Sequence, residues 1–144
     1  MIEVYTSRWA NSDLARLRCQ PVSISRGDGR RPGFTYKKLW ELCPSRETFA
    51  TTNPNAAAAS YRAGLDEIGV ERIEARLQTL SRESGGLPLV LLCHEDVLGK
   101  DHVCHRRWLA RWWHEKTGQT IPELEPGMIH ESVEVSQQRL FQEG

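Results

Sequence analysis

The apolar residues of this chain fall into three short runs and two helix-like stripes. Residues 87–92 are apolar throughout yet far too few to span a membrane, which predicts a strand buried on both faces of a sheet. Residues 2–6 and 21–25 predict two further strands, because each run ends at polar turn residues. The chain therefore has the strands of a small sheet, with the most buried strand late in the sequence.

Two longer segments have apolar residues at the spacing of one helix face. The first predicted helix begins past Gly69 and ends at Gly85 and Gly86, whereas the second is capped by Asp101 and ends at Gly118. Their apolar positions are Val70, Ile73, Leu77 and Leu80 in the first, and Trp108, Leu109, Trp112 and Trp113 in the second. Ser12 is predicted to cap a shorter helix, and the polar, alanine-rich residues 51–59 to lead into another near Ala56.

The order of these elements is strand, helix, strand, irregular basic region, helices, strand, helix. This order predicts an α/β fold, with a small, mainly parallel sheet flanked by helices in a single compact domain. We place the domain at residues 1–124, and interpret residues 125–144 as a polar tail or a docked helix.

Composition narrows the classes of function. The formal net charge of the 144 residues is zero, so there is no global attraction to nucleic acid or membranes, and any basic site must be local. No segment approaches the roughly 20 apolar residues that span a bilayer, and the first residues lack the features of a signal peptide. We therefore expect a cytoplasmic protein without a membrane partner, whose four cysteines are first of all thiols.

Chemically versatile residues follow each predicted strand. In parallel sheets, ligands gather beyond the carboxyl ends of the strands. By that rule Ser7 and Arg8, residues 25–27, and residues 93–95 should converge on one edge. This convergence is the central prediction from the sequence.

Cys104 is the strongest candidate for a reactive group. It falls in the first turn of the last predicted helix, where free backbone amides and the neighbouring cations His105 and Arg106 favour a thiolate or bind an anion. We predict catalytic roles for Cys104, Cys93, Glu95 and His105. We predict anion or substrate binding by Arg26, Arg106, Arg8, Ser7 and Ser25, since guanidinium groups match phosphate and carboxylate oxygens.

Several of these residues resemble a known signature. Leu-Leu-Cys93-x-Glu95, followed by Cys104-His105-Arg106, is similar to the carboxyl-terminal signature of the bacterial and phage family called domain of unknown function 488. Val4-Tyr5-Thr6-Ser7 and Ile24-Ser25-Arg26-Gly27 resemble its first two strands, although Ser7-Arg8 replaces the family's usual glycine-histidine pair. The resemblance implies the fold and the position of the site more than an activity.

Three kinds of function remain open at this point. The first is an enzyme with a cysteine-containing, anion-binding site at the sheet edge that acts on nucleotides or nucleic acid. The second is a zinc site, although the Cys and His spacing matches no standard ligand pattern. The third is a binding module without catalysis, either for nucleic acid, through the basic and aromatic residues between 26 and 40, or for a protein partner, through the tryptophans. The phosphate-bearing ligand would be a small molecule or nucleic acid; neither a cofactor nor an oligomeric state is indicated.

Overall fold

Four parallel strands form the centre of the structure, a computed structural model that describes residues 2–94 and 105–131. The sheet order is β1-β4-β2-β3, with β1 at Val4–Arg8, β2 at Gln20–Ser23, β3 at Lys37–Lys38 and β4 at Leu89–Cys93. The described helices are α1 at Arg46–Ala50, α2 at Pro54–Ile68, α3 at Val70–Glu83 and α4 at His105–Thr117. The predicted α/β class with a parallel sheet is confirmed.

Strand β4 is buried along its whole length, as its apolar run predicts. It pairs in parallel with β1 on one side and β2 on the other. Successive side chains of a strand point to opposite faces. Leu89 and Leu91 accordingly pack into the core with the helices, while Val90 and Leu92 pack with Trp9 on the other face.

The helix starts confirm one predicted boundary and correct two others. Helix α3 follows the predicted stripe, and Gly69, at φ +91°, separates it from α2. Helix α2 begins at Pro54, slightly before the predicted start, because the Asn53 side chain caps it by accepting a hydrogen bond from the Ala56 amide. The prediction for Ser12 was wrong: Asn11 is the cap, and the element is a short 3₁₀ turn at Ser12–Ala15.

Three short elements between residues 37 and 50 were not predicted. Strand β3 has two residues, both lysines, a composition that resembles loop more than strand. A 3₁₀ turn at Trp40–Leu42 follows it, and α1 then begins after Ser45, whose hydroxyl accepts a hydrogen bond from the Thr48 amide. These elements bring the basic, aromatic region against α2.

The chain after α4 returns to the first strand. The Thr6 amide donates to Pro122 and the Leu124 amide donates to Thr6, so residues 122–124 lie along the outer edge of β1. Ile129 is buried with Trp9, Val90 and Leu92 on the second face of the sheet, and Glu131 forms a bridge with Leu17. The described part of the predicted tail, up to residue 131, is thus packed against the domain. Within residues 2–94 and 105–131, no helix has both the length and the apolar character needed to cross a bilayer.

Candidate functional site

The strand register brings the predicted site segments to one edge of the sheet. Arg8 is level with Cys93, and Ser23 is level with Leu92. The carboxyl ends of β1, β4 and β2 therefore meet, which confirms the predicted convergence of Ser7-Arg8, Ser25-Arg26-Gly27 and Cys93-His94. Glu95, the last member of that set, lies outside the described residues, as does Cys104.

The serines at this edge are buried and bound within the protein. The Ser7 hydroxyl accepts a hydrogen bond from the side-chain amide of Asn11 at 3.0 Å. The Ser25 hydroxyl accepts one from the Trp9 indole at 3.0 Å and donates one to the Gly27 carbonyl at 2.8 Å. Both hydroxyls thus fasten turns to the strand ends, while Arg8, which completes the β1 segment, is exposed.

The turn after β2 folds back over the strand ends. A His94 ring nitrogen lies 2.6 Å from the Gly27 carbonyl oxygen, and Asp28 accepts hydrogen bonds from Ser23 and Lys38. The Trp9 ring packs so closely on Gly29 that a Cβ there would lie 2.8 Å from ring atoms. The turn after β2 therefore packs against the end of β4 and against Trp9.

Arg106 is 8% exposed and directs its guanidinium at protein acceptors. Its Nε and Nη2 donate to the Glu123 carboxylate, and its Nη1 lies 3.2 Å from both the Cys93 sulfur and the His94 carbonyl oxygen. Burial raises the pKa of Glu123, but the hydrogen bonds from Arg106 and Thr6 outweigh that effect and lower it overall. In this arrangement Arg106 joins α4 to the strands instead of facing an open ligand site.

His105 is a buried imidazole. One ring nitrogen lies 2.6 Å from the Ile24 carbonyl oxygen. Burial lowers the pKa of His105 to about 4, and the nearby Arg106 charge acts in the same direction. The ring is therefore neutral at physiological pH, and Nε2 is the nitrogen that donates to Ile24.

The described cysteines do not offer a reactive thiol. Cys93 is almost fully buried and disulfide-bonded, so it has no thiolate with which to attack a substrate. Cys19 and Cys43 are free, but burial raises the pKa of each thiol to about 11. Both therefore remain protonated at neutral pH.

A pocket of about 500 Å³ opens at the carboxyl ends of β2 and β3. The turn after β2 forms one wall, the 3₁₀ turn and α1 form another, and α2 forms the third. Its lining includes Arg26, Glu41, Cys43, Ser45, Thr48, Ser60, Tyr61, Leu65 and Ile68, with Trp40 at its boundary. The pocket lies on the side of β2 and β3 that α2 occupies, beside the carboxyl ends of the strands.

The pocket combines one available cation with hydroxyl groups and an apolar wall. Among the described residues, the Arg26 guanidinium makes a single hydrogen bond, at 3.3 Å, to the Pro44 carbonyl, and no described carboxylate forms an ion pair with it. The pocket's own acid, Glu41, is paired with Arg76 at 3.2 Å. The charge of the Arg26 guanidinium is thus uncompensated within the described residues, which suits an anionic ligand.

Hydroxyl groups of Ser45, Thr48 and Ser60 also line the pocket. The Ser45 hydroxyl donates to Thr48 at 3.0 Å, and the Thr48 and Ser60 hydroxyls lie 2.6 Å apart. Tyr61 is buried and donates to the Leu42 carbonyl at 2.7 Å, which fixes its ring in the pocket wall. The hydroxyl chain can rotate to donate to, or accept from, a polar ligand.

The sequence identified Arg26 but missed the other polar residues that line the pocket. Thr48, Ser60 and Tyr61 lie on α1 and α2, whose packing against each other was not predicted. A local signal for α1 was present, since Ser45 followed by Glu47 and Thr48 is a typical helix start. No such signal existed for the position of Tyr61, which depends on how α2 packs.

Neither a metal centre among the described residues nor a known family identifies the site. Among the described residues, no group of three or more His, Cys, Asp or Glu side chains is arranged to hold a metal ion. Comparison of the sequence with family models, of the chain with curated proteins, and of the fold with solved structures found no match. The resemblance to domain of unknown function 488 therefore stays a prediction.

Proposed function

We propose that this protein binds a nucleotide, or one nucleotide unit of a nucleic acid, in the pocket at the carboxyl ends of β2 and β3. The observation that carries the proposal is the Arg26 guanidinium, which borders the pocket without a described carboxylate partner. In this proposal Arg26 binds the phosphate. An arginine can offer two parallel N–H donors to phosphate oxygens, and such charge-assisted bonds are among the strongest in proteins.

The rest of the pocket suits the sugar and base of the same ligand. Its volume of about 500 Å³ lies within the range typical of small-molecule sites. Ile68, which is partly exposed, provides apolar surface for a base, and the Thr48 and Ser60 hydroxyls provide partners for a ribose or a base edge. A purely inorganic anion would leave this apolar wall without a ligand.

The described cysteines support binding more than thiol chemistry. Cys43 lines the pocket, but burial raises the pKa of its thiol to about 11, so it is a poor nucleophile at neutral pH. Cys93 is disulfide-bonded. A catalytic role for Cys104 is a separate prediction from the sequence, and the binding proposal does not depend on it.

Isothermal titration with AMP, adenosine and inorganic phosphate tests the proposal. We expect AMP to bind more tightly than either fragment, because only AMP engages both the cation and the apolar wall. Arg26→Gln should weaken AMP by about ten- to a hundredfold and leave adenosine unchanged, since a hydrogen bond to a charged group contributes about 1.5–3 kcal/mol.

Arg82→Gln is the matched control, because Arg82 is an exposed arginine at the end of α3, near the amino end of the sheet. It should leave AMP binding unchanged. Equal affinity for AMP and adenosine, or equal losses in the two arginine variants, would contradict the proposal.

A further inference from the structure

Two large aromatic side chains stand almost free of the protein beside the pocket. Trp40 is 69% exposed and Phe49 is 70% exposed, although aromatic rings of this size are usually largely buried. Trp40 borders the pocket, and Phe49 is on α1, one turn after the Ser45 cap. Neither ring contributes to the core, so the fold itself does not explain them.

Each of these rings has a cation beside it. The Lys38 ammonium lies 4.4 Å from the Trp40 ring centroid, and the Arg26 guanidinium lies 5.9 Å from the Phe49 ring centroid. The Lys38 ammonium also lies 3.3 Å from the Arg26 carbonyl oxygen, and Arg26 and Trp40 both line the pocket, so the two ring–cation pairs lie near each other. We call the surface formed by Arg26, Lys38, Trp40 and Phe49 the aromatic patch.

We infer that the aromatic patch binds single-stranded nucleic acid, with Trp40 and Phe49 stacking on bases next to the nucleotide held in the pocket. The inference rests on the proposed function, because the pocket nucleotide anchors the strand. Exposed rings alternating with cations are the arrangement by which proteins bind unpaired strands: bases stack on the rings, and the backbone follows the cations.

Charge and shape favour this ligand over a duplex. Two acidic side chains near the patch are already paired, Asp28 with Lys38 at 3.1 Å and Glu41 with Arg76. Of the two cations in the patch, Arg26 is the one without a described carboxylate partner, so the patch itself contacts few phosphates and stacking carries much of the affinity. The base faces of a duplex are covered by their neighbours, whereas those of a single strand are open to an aromatic ring.

Fluorescence anisotropy with labelled oligothymidylates tests the inference on the full chain. A hexanucleotide should bind at least tenfold more tightly than a mononucleotide, and more tightly than a hairpin duplex of equal charge. Phe49→Ala should weaken the hexanucleotide by about tenfold, since stacking contributes about 1–3 kcal/mol per base. The same variant should change mononucleotide affinity less than twofold, because Phe49 does not line the pocket.

Met128→Ala is the control for loss of an exposed apolar side chain, since Met128 follows the segment that pairs with β1, at the opposite edge of the sheet. It should leave both affinities unchanged, and the urea midpoints of both variants should match the wild type. Arg26→Gln should lower the salt dependence of hexanucleotide binding by about 0.7 in the logarithmic slope.

The outcomes separate this inference from the proposed function. If AMP binds through Arg26 but affinity does not rise with strand length, the inference is wrong and the pocket proposal stands. If the hexanucleotide binds through Phe49 while Arg26→Gln changes neither affinity, the pocket proposal is wrong. Tighter binding of the duplex, or self-association of the protein that is lost in Phe49→Ala, would also overturn the inference.

Discussion

Replacing Glu123 with glutamine should destabilise the fold by about 2 kcal/mol, because it removes the countercharge of a buried arginine. The Arg106 nitrogens reach the two Glu123 oxygens at 2.8, 2.9 and 3.1 Å. Removing one partner of a buried pair costs about 3–5 kcal/mol, whereas exposed pairs contribute about 0–1 kcal/mol. The Glu123 side chain is 38% exposed, so solvent screens the pair and the expected value lies between these limits.

Urea unfolding followed by circular dichroism measures this loss. Glu115→Gln is the control, since it removes the carboxylate of the exposed pair with Arg62 and should have a far smaller effect. A cost of Glu123→Gln no larger than that of Glu115→Gln at neutral pH would mean that burial of Arg106 does not strengthen its pair with Glu123.

The contribution of the Arg106–Glu123 pair to stability should depend on pH. The pKa of Glu123 is lower in the folded protein than in the unfolded chain, so its contribution is fully present above about pH 4.3, the ordinary value, and is lost as the pH falls through the folded value. The difference in unfolding free energy between wild type and Glu123→Gln should therefore shrink in acid. A constant difference down to the lowest pH at which the protein folds would argue against an ionic origin.

Two further predictions concern His105 and Gly29. The pKa of His105 is about 4 when folded and about 6.5 when unfolded, so the free energy of unfolding should decrease as the pH falls through this interval. In urea titrations, the unfolding free energy of His105→Gln, which keeps a donor for the Ile24 carbonyl, should depend less on pH between about 6.5 and 5 than that of the wild type. An equal pH dependence in the two proteins would contradict burial of the ring. Gly29→Ala should lower the unfolding free energy in urea by about 1–3 kcal/mol, because the new Cβ meets the Trp9 ring at 2.8 Å. Gly27→Ala, whose new Cβ has no atom within 4 Å, should lower it much less. Equal losses would contradict the close packing of Trp9 on Gly29.

Elements with a strong pattern of burial were predictable from the sequence. Strand β4 is apolar because both of its faces are covered, and α3 has a clear stripe because only one of its faces is. Strand β3 could not be predicted, since a two-residue edge strand of lysines has no apolar period. Its place is decided by pairing with β2 and not by its own residues.

The candidate site, too, could be predicted only in part from the sequence. Strand order implied that Ser25 and Cys93 approach the same edge, because parallel strands end together. Which groups face a ligand was not implied: Arg106 is bound to Glu123, a residue 17 positions further along the chain, while Arg26 borders a pocket. Sequence spacing determines which residues come near each other, whereas the choice of partner depends on side-chain packing across elements.

The pairing of β1 with β4 has a consequence for synthesis of the protein. Val4 pairs with Leu89, and Thr6 pairs with Glu123, so neither edge of the first strand has its partner until most of the chain has been made. Contacts between such distant residues form slowly, because a long loop must close first. In a nascent chain the first strand therefore stays unpaired until residues 89–93 have left the ribosome, and its second edge stays open until residues 122–124 follow.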